Sequence, residues 1–179
     1  MRKSLHAAFA ALLFVFAFST GARAQQQTAA QSPPTDCPMM KQHDTSAMNE
    51  RGEKGMGFSQ EKTTHHFLLV KSGGVIQVEA DDLHDATSRD QIRQHLAHVA
   101  RMFSEGDFAV PMFVHDQTPP GAPEMKRLRA AITYKYEETR NGGRVIISSN
   151  DPRAVAAVHS FLRFQITEHK TGDPLAVGR

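Results

Sequence analysis

Two histidines and a methionine follow one another at helical spacing in the stretch from Ser88 to Phe103, SRDQIRQHLAHVARMF. In a helix turning about 100° per residue, His95, Met102 and His98 fall roughly 60°, 80° and 120° to one side of the apolar stripe Ile92, Leu96, Val99 and Phe103. Two imidazoles one turn apart, with a thioether one turn further, are donors for a soft or borderline ion. Copper suits them best, zinc is a second choice, and neutral imidazole also ligates noncovalent haem iron. The metalloprotease motif HExxH is absent, since Ala97 and Val99 supply no carboxylate beside these histidines.

Other donors lie where a fold could bring them to that ridge. In TTHHFLLV, Thr63 to Val70, His65 and His66 are neighbours in a strand-like run, so one of them faces the helix side of a sheet and the other faces away. The inward one extends the ridge to three or four ligands; the plainer role for either is a hydrogen-bonded edge-strand residue. In Pro111-Met-Phe-Val-His115, His115 opens a proline-rich loop. From there it could close the site, with Met112 or Met125 as a soft axial ligand and Asp116 orienting the imidazole. Cys37, Met39, Met40 and His43 cluster in CPMMKQH and read as a secondary Cu(I) capture arm, or otherwise as a spacer with an incidental thiol. Arg163, in FLRF, offers a guanidinium to a carboxylate or haem propionate, though stacking on Phe164 would also occupy it.

These residues need a frame, and the chain announces one in order. Arg2 and Lys3, an apolar run from Ala7 to Phe18 and Ala22-Arg-Ala24 form a secretory signal peptide cleaved after Ala24, which points to the periplasm. The apolar run is too short to span a bilayer, and no other segment approaches that length. Removing residues 1–24 takes away three of the 21 basic residues and leaves 18 against 19 acidic ones, a net charge of −1. With no basic stripe, nucleic acid is not an expected partner. A single cysteine, Cys37, excludes an internal disulfide.

Residues 25–60 are rich in Gln, Thr, Ser and charge and are expected to be a flexible tether, although Met39, Met40, Met48 and Met56 are unusual in one. Residues 61–179 read as one domain. A first hairpin, Thr63 to Val70 and Val75 to Ala80, turns at Lys71-Ser-Gly-Gly74; a second, Ile132 to Glu137 and Arg144 to Ser149, turns at Asn141-Gly-Gly143. Each is followed by a helix. The first is expected to be capped by Thr87 or Ser88 and stopped by Gly106; the second is capped by Asp151, opened by Pro152 and runs to about His169. Aligned on their Gly-Asp ends, Ile92 matches Val158, Leu96 matches Leu162 and Phe103 matches His169, an internal repeat of ββα units. The predicted fold is α+β: a four-stranded, mainly antiparallel sheet with two helices on one face.

The function expected is therefore an exported protein that buffers, carries or delivers a metal ion, most of all copper, through His65, His66, His95, His98, Met102, Met112 and His115. The reading leans away from an enzyme. An enzymatic alternative has an open His-ligated metal or noncovalent haem, with Asp116 or Glu79 as proton shuttle; a second alternative is a metal-free interaction domain. No GxSxG, P-loop, Rossmann or CxxCH motif is present. An exposed edge strand would invite pairing into a homodimer.

Overall fold

The computed structural model describes residues 45–178 of the chain. The elements are α1 (Thr45–Met56), β1 (Thr63–Val70), β2 (Gly73–Ala80), α2 (Ala86–Glu105), α3 (Ala109–His115), α4 (Ala122–Arg127), β3 (Ile132–Thr139), β4 (Gly142–Ser149) and α5 (Pro152–His169). Both hairpins form, and their second strands pair antiparallel at the centre, giving one four-stranded sheet in the order β1-β2-β4-β3. The architecture is the α+β one expected from two ββα units.

Side-chain parity decides what the sheet buries. In β1 the buried positions Thr63, Phe67 and Leu69 share a face with His65; in β2 and β4 that face carries Ile76, Val78, Val145 and Ile147. Against it lie the stripes of α2, Ile92, Leu96, Val99 and Phe103, and of α5, Val158, Phe161, Leu162 and Ile166. The helices are crossed over. α2, which follows the first hairpin, packs chiefly on β3 and β4, whereas α5, which follows the second, packs chiefly on β1 and β2.

Paired glycines at the head of each central strand make room for this exchange. A Cβ on Gly74 would sit 2.1 Å from Leu162 Cδ1 of α5, and one on Gly143 would meet Leu96 Cδ1 of α2 at 3.4 Å. Leu96 and Leu162 are the residues that the internal repeat equates, so each half seats its equivalent leucine on the other half's glycines. Asp85 caps α2, its carboxylate accepting from Ser88 N at 3.0 Å, so the helix begins two or three residues earlier than expected. Gly106, at φ 80°, ends it in the left-handed conformation that favours glycine.

Two segments differ from expectation. The part of the tether from Thr45 to Met56 is a helix, with Met48 buried and Arg51 Nε donating to Val114 O at 2.9 Å. Its helicity rests on that packing against α3, because its own sequence is polar and holds two glycines. Ala109–His115, to which the sequence assigns no element beyond an apolar piece before a proline-rich loop, is also helical: Pro111, Val114 and His115 are buried and Met112 and Phe113 point outward, as a 3.6-residue period dictates.

The C-terminal segment finishes the β1 edge. Phe67 N donates to Asp173 Oδ2 at 2.9 Å, His66 Nδ1 donates to Asp173 Oδ1 at 2.9 Å, and Gly178 N donates to Leu69 O at 2.9 Å. Burial works against the Asp173 anion, yet hydrogen bonds from Thr171, Phe67 N and His66 hold its carboxyl below the usual carboxylate range.

Gly74→Ala drives a Cβ into Leu162 and to 2.6 Å from Leu68 O, so it should destabilise the fold by about 1–3 kcal/mol. Urea denaturation followed by circular dichroism would measure this, and an unchanged midpoint would contradict the close seat of α5 on β2.

Candidate functional site

Beneath α2 and α5 the packing leaves a cavity whose walls hold four imidazoles: His65 of β1, His95 of α2, His115 at the end of α3 and His169 at the end of α5. The remaining wall is aromatic and aliphatic, with Met56 and Gln165 as its other heteroatom-bearing side chains. Among the described residues, none that lines it is Asp, Glu, Lys, Arg or Cys. The interior open to water is about 70 Å³ within some 530 Å³ of unfilled space that includes the mouth.

The rings form a connected cluster. His65 and His169 are stacked, centroids 5.7 Å apart and planes 4° from parallel, and His115 meets His169 edge-on at 5.0 Å. Phe58, buried just after α1, joins His65 to His95, with ring centroids 6.0 Å and 5.6 Å away. His115 Nε2 donates to Gln165 Oε1 at 3.0 Å. Two buried polar atoms on this wall, His65 Nε2 and Gln165 Nε2, have no hydrogen-bond partner among the described residues. Buried polar atoms are nearly always satisfied, so such a pair marks room for a water or a ligand.

Burial also sets the charge state. Desolvation, reinforced by the neighbouring His66, lowers the His65 pKa to about 4 although Asp81 pulls the other way. His95 is brought to about 4 by burial and then by His65 and His98; His169 is brought to about 3 by burial and then by His65 and His115. These three imidazoles are neutral at pH 7, with lone pairs rather than charges to offer.

The structure separates the expected ligands. His65, His95 and His115 come together in the cavity; His66 does not, because it points to the opposite side of β1 and pairs with Asp173. His98 is exposed on the outer flank of α2, where its Nδ1 accepts a hydrogen bond from Arg101 Nη2 at 2.8 Å. Met102 packs at the core margin, Met125 is fully buried, and Met112 is 43% exposed on another surface; none lines the cavity. His115 is buried within a helix end instead of opening a loop, and its partner is Gln165 rather than Asp116, which is exposed. Glu79 faces away from the helices, since its neighbours Val78 and Ala80 fill the inward positions. Arg163 Nε donates to Leu175 O at 2.9 Å, away from the cavity. Cys37, Met39, Met40 and His43, like the signal segment, lie outside the described residues.

Sequence reasoning missed His169, Met56, Gln165 and Phe58. For His169 a signal existed: it occupies the repeat position that is Phe103 in α2, a core position carrying an imidazole. As placed, no three His, Cys, Asp or Glu side chains among the described residues form a ready-made ligand set for a metal ion. The chain matches no family model, no curated protein and no solved structure.

The depressed pKa values carry a stability consequence with a definite sign. Above pH 6.5 these histidines are neutral in both folded and unfolded chains and the shifts cost nothing. Below it the unfolded chain takes up protons that the folded chain refuses down to about pH 4, or 3 for His169. Stability should therefore fall as pH drops through this window, by up to about 1.4 kcal/mol per pH unit for each histidine. Urea midpoints between pH 6.5 and 5, mostly above carboxylate titration, would show it. His169→Phe should flatten the slope, and a flat wild-type profile would contradict the burial of these rings.

Proposed function

We propose that the histidine-walled cavity binds a single transition-metal ion, copper in its Cu(I) form above all, and that the protein stores or carries it. The observation that supports this reading most is the convergence of His65, His115 and His169 from three separate elements around an interior where His65 Nε2 is buried without a partner. Metal–nitrogen bonds of about 2 Å place the centres of two imidazoles sharing an ion about 5–6 Å apart. The observed separations of 5.0 and 5.7 Å already lie in that range, so rotation of the rings about their side-chain torsions is what a shared ion demands.

The choice of ion follows from the wall. Neutral imidazoles and the Met56 thioether favour Cu(I), while a wall without carboxylate or thiolate gives a divalent ion no compensating charge in an apolar surround. Zn(II) is thereby second. At about 70 Å³ the interior has room for an ion and a few waters, and a porphyrin exceeds it. Storage or carriage is favoured over catalysis because the cavity wall holds no ionisable acid or base besides the histidines themselves. Export to the periplasm, proposed from residues 1–24, suits such a carrier. No described helix is long and apolar enough to cross a membrane. Pairing of two copies by strand addition would use β3, because the chain's own C-terminal segment occupies the β1 edge.

Purified protein should bind one equivalent of Cu(I) in competition with a chromophoric chelator. His65→Ala and His169→Ala should each weaken affinity more than tenfold, and His84→Ala, in the connection before α2, should leave it unaltered. Equal affinities for His65→Ala and the wild type would refute the cavity as the site. Failure to retain Cu(I), Cu(II) or Zn(II) would leave a metal-free interaction domain as the reading to pursue.

A further inference from the structure

The cavity has a second side. His95 and Met56 line it from within and also line a broad groove on the surface between α1 and α2, so these two side chains are the wall dividing the two spaces. The groove, about 1240 Å³ with its open side, differs from the cavity in chemistry. Lys54 and Arg101 supply two cations to it, Gln91 and Gln94 supply amide groups, and none of the described residues lining it is a carboxylate. The Arg101 guanidinium also lies against His98 Nδ1, which places a fixed positive charge beside that imidazole. A bare cation approaching the His95–Met56 wall through this groove is repelled, whereas an anion is drawn in and finds hydrogen-bond donors.

We propose that this groove is the loading port of the cavity and receives the metal as an anionic complex, releasing the ion across the His95–Met56 wall to the imidazoles within. The inference rests on the copper-binding reading above and adds to it the form in which the metal arrives. Transfer is a ligand exchange without redox change: the donor ligands leave as the free anion, and the nitrogen and sulfur donors of His95 and Met56 take their place before the ion passes inward. His98 lines the port and stays outside the final ligand set.

Stopped-flow loading of the purified full chain with Cu(I) tests this with two donors, the anionic bis-bicinchoninate complex and the cationic acetonitrile complex. In the double variant Lys54→Gln, Arg101→Gln the loading rate from the anionic donor should fall at least about fivefold, and in the wild type it should fall toward the variant's as salt is raised. The rate from the cationic donor should stay level or rise, and the equilibrium affinity should be that of the wild type. Equal slowing with both donors, or no slowing with the anionic one, overturns the port. A wild-type chain that takes up Cu(I) from neither donor overturns the copper reading itself and the port with it, an outcome distinct from normal loading that ignores Lys54 and Arg101.

Discussion

The exchange of helices between the two hairpins is the constraint on which the rest of this molecule depends. An amphipathic helix must cover an apolar sheet face, and here each ββα unit covers the face of the other: α2 lies over β3 and β4, α5 over β1 and β2. Each helix keeps only its lesser contact with its own hairpin, α2 with β2 and α5 with β4. The glycine pairs of β2 and β4 let the helices come close enough for Leu162 and Leu96 to settle on the strands, which locks the two halves in one register. The cavity opens where this mutual cover is incomplete, so its walls come from β1, α2, α3 and α5 at once.

A cluster of imidazoles in such a place is costly unless it serves something. Leucine or phenylalanine at these positions would gain burial energy without leaving polar atoms to satisfy. Instead four histidines and a glutamine face an interior that apolar packing has emptied of charge, and burial keeps at least three of the rings unprotonated. Low dielectric here does two jobs. It suppresses competition from protons for the ring nitrogens, and it disfavours any guest whose charge the wall cannot balance. The surface beyond His95 and Met56 has the opposite character, cationic and wet.

Most of the frame was legible in the sequence because it is written in local terms. Period-two and period-3.6 patterns, the Asp151-Pro152 start and the Gly106 stop each specify an element without reference to distant residues. The candidate site was half legible. His95 could be placed on the flank of α2, and strand parity required that His65 or His66 face inward, but only the pairing of Thr63 with Ala80 and its neighbours fixes which. Helix α1 was hidden, since Met48, Met56 and Phe58 become structural only through packing on elements far along the chain. His169 was legible only through its repeat match to Phe103; taken alone, a histidine near a helix end looks like a surface residue until the first hairpin is laid over it.

The crossed cover also has a bearing on when the protein can exist as a folded object. As the chain is made, β1, β2 and α2 emerge before the chief cover of the first sheet half, since that cover is α5. Domains whose early segments are self-sufficient begin to fold while synthesis continues. Here the chief cover of each half is a contact between distant segments, which waits until α5 has been made. Until then the imidazoles that later line one cavity stand on segments whose partners have not all been made.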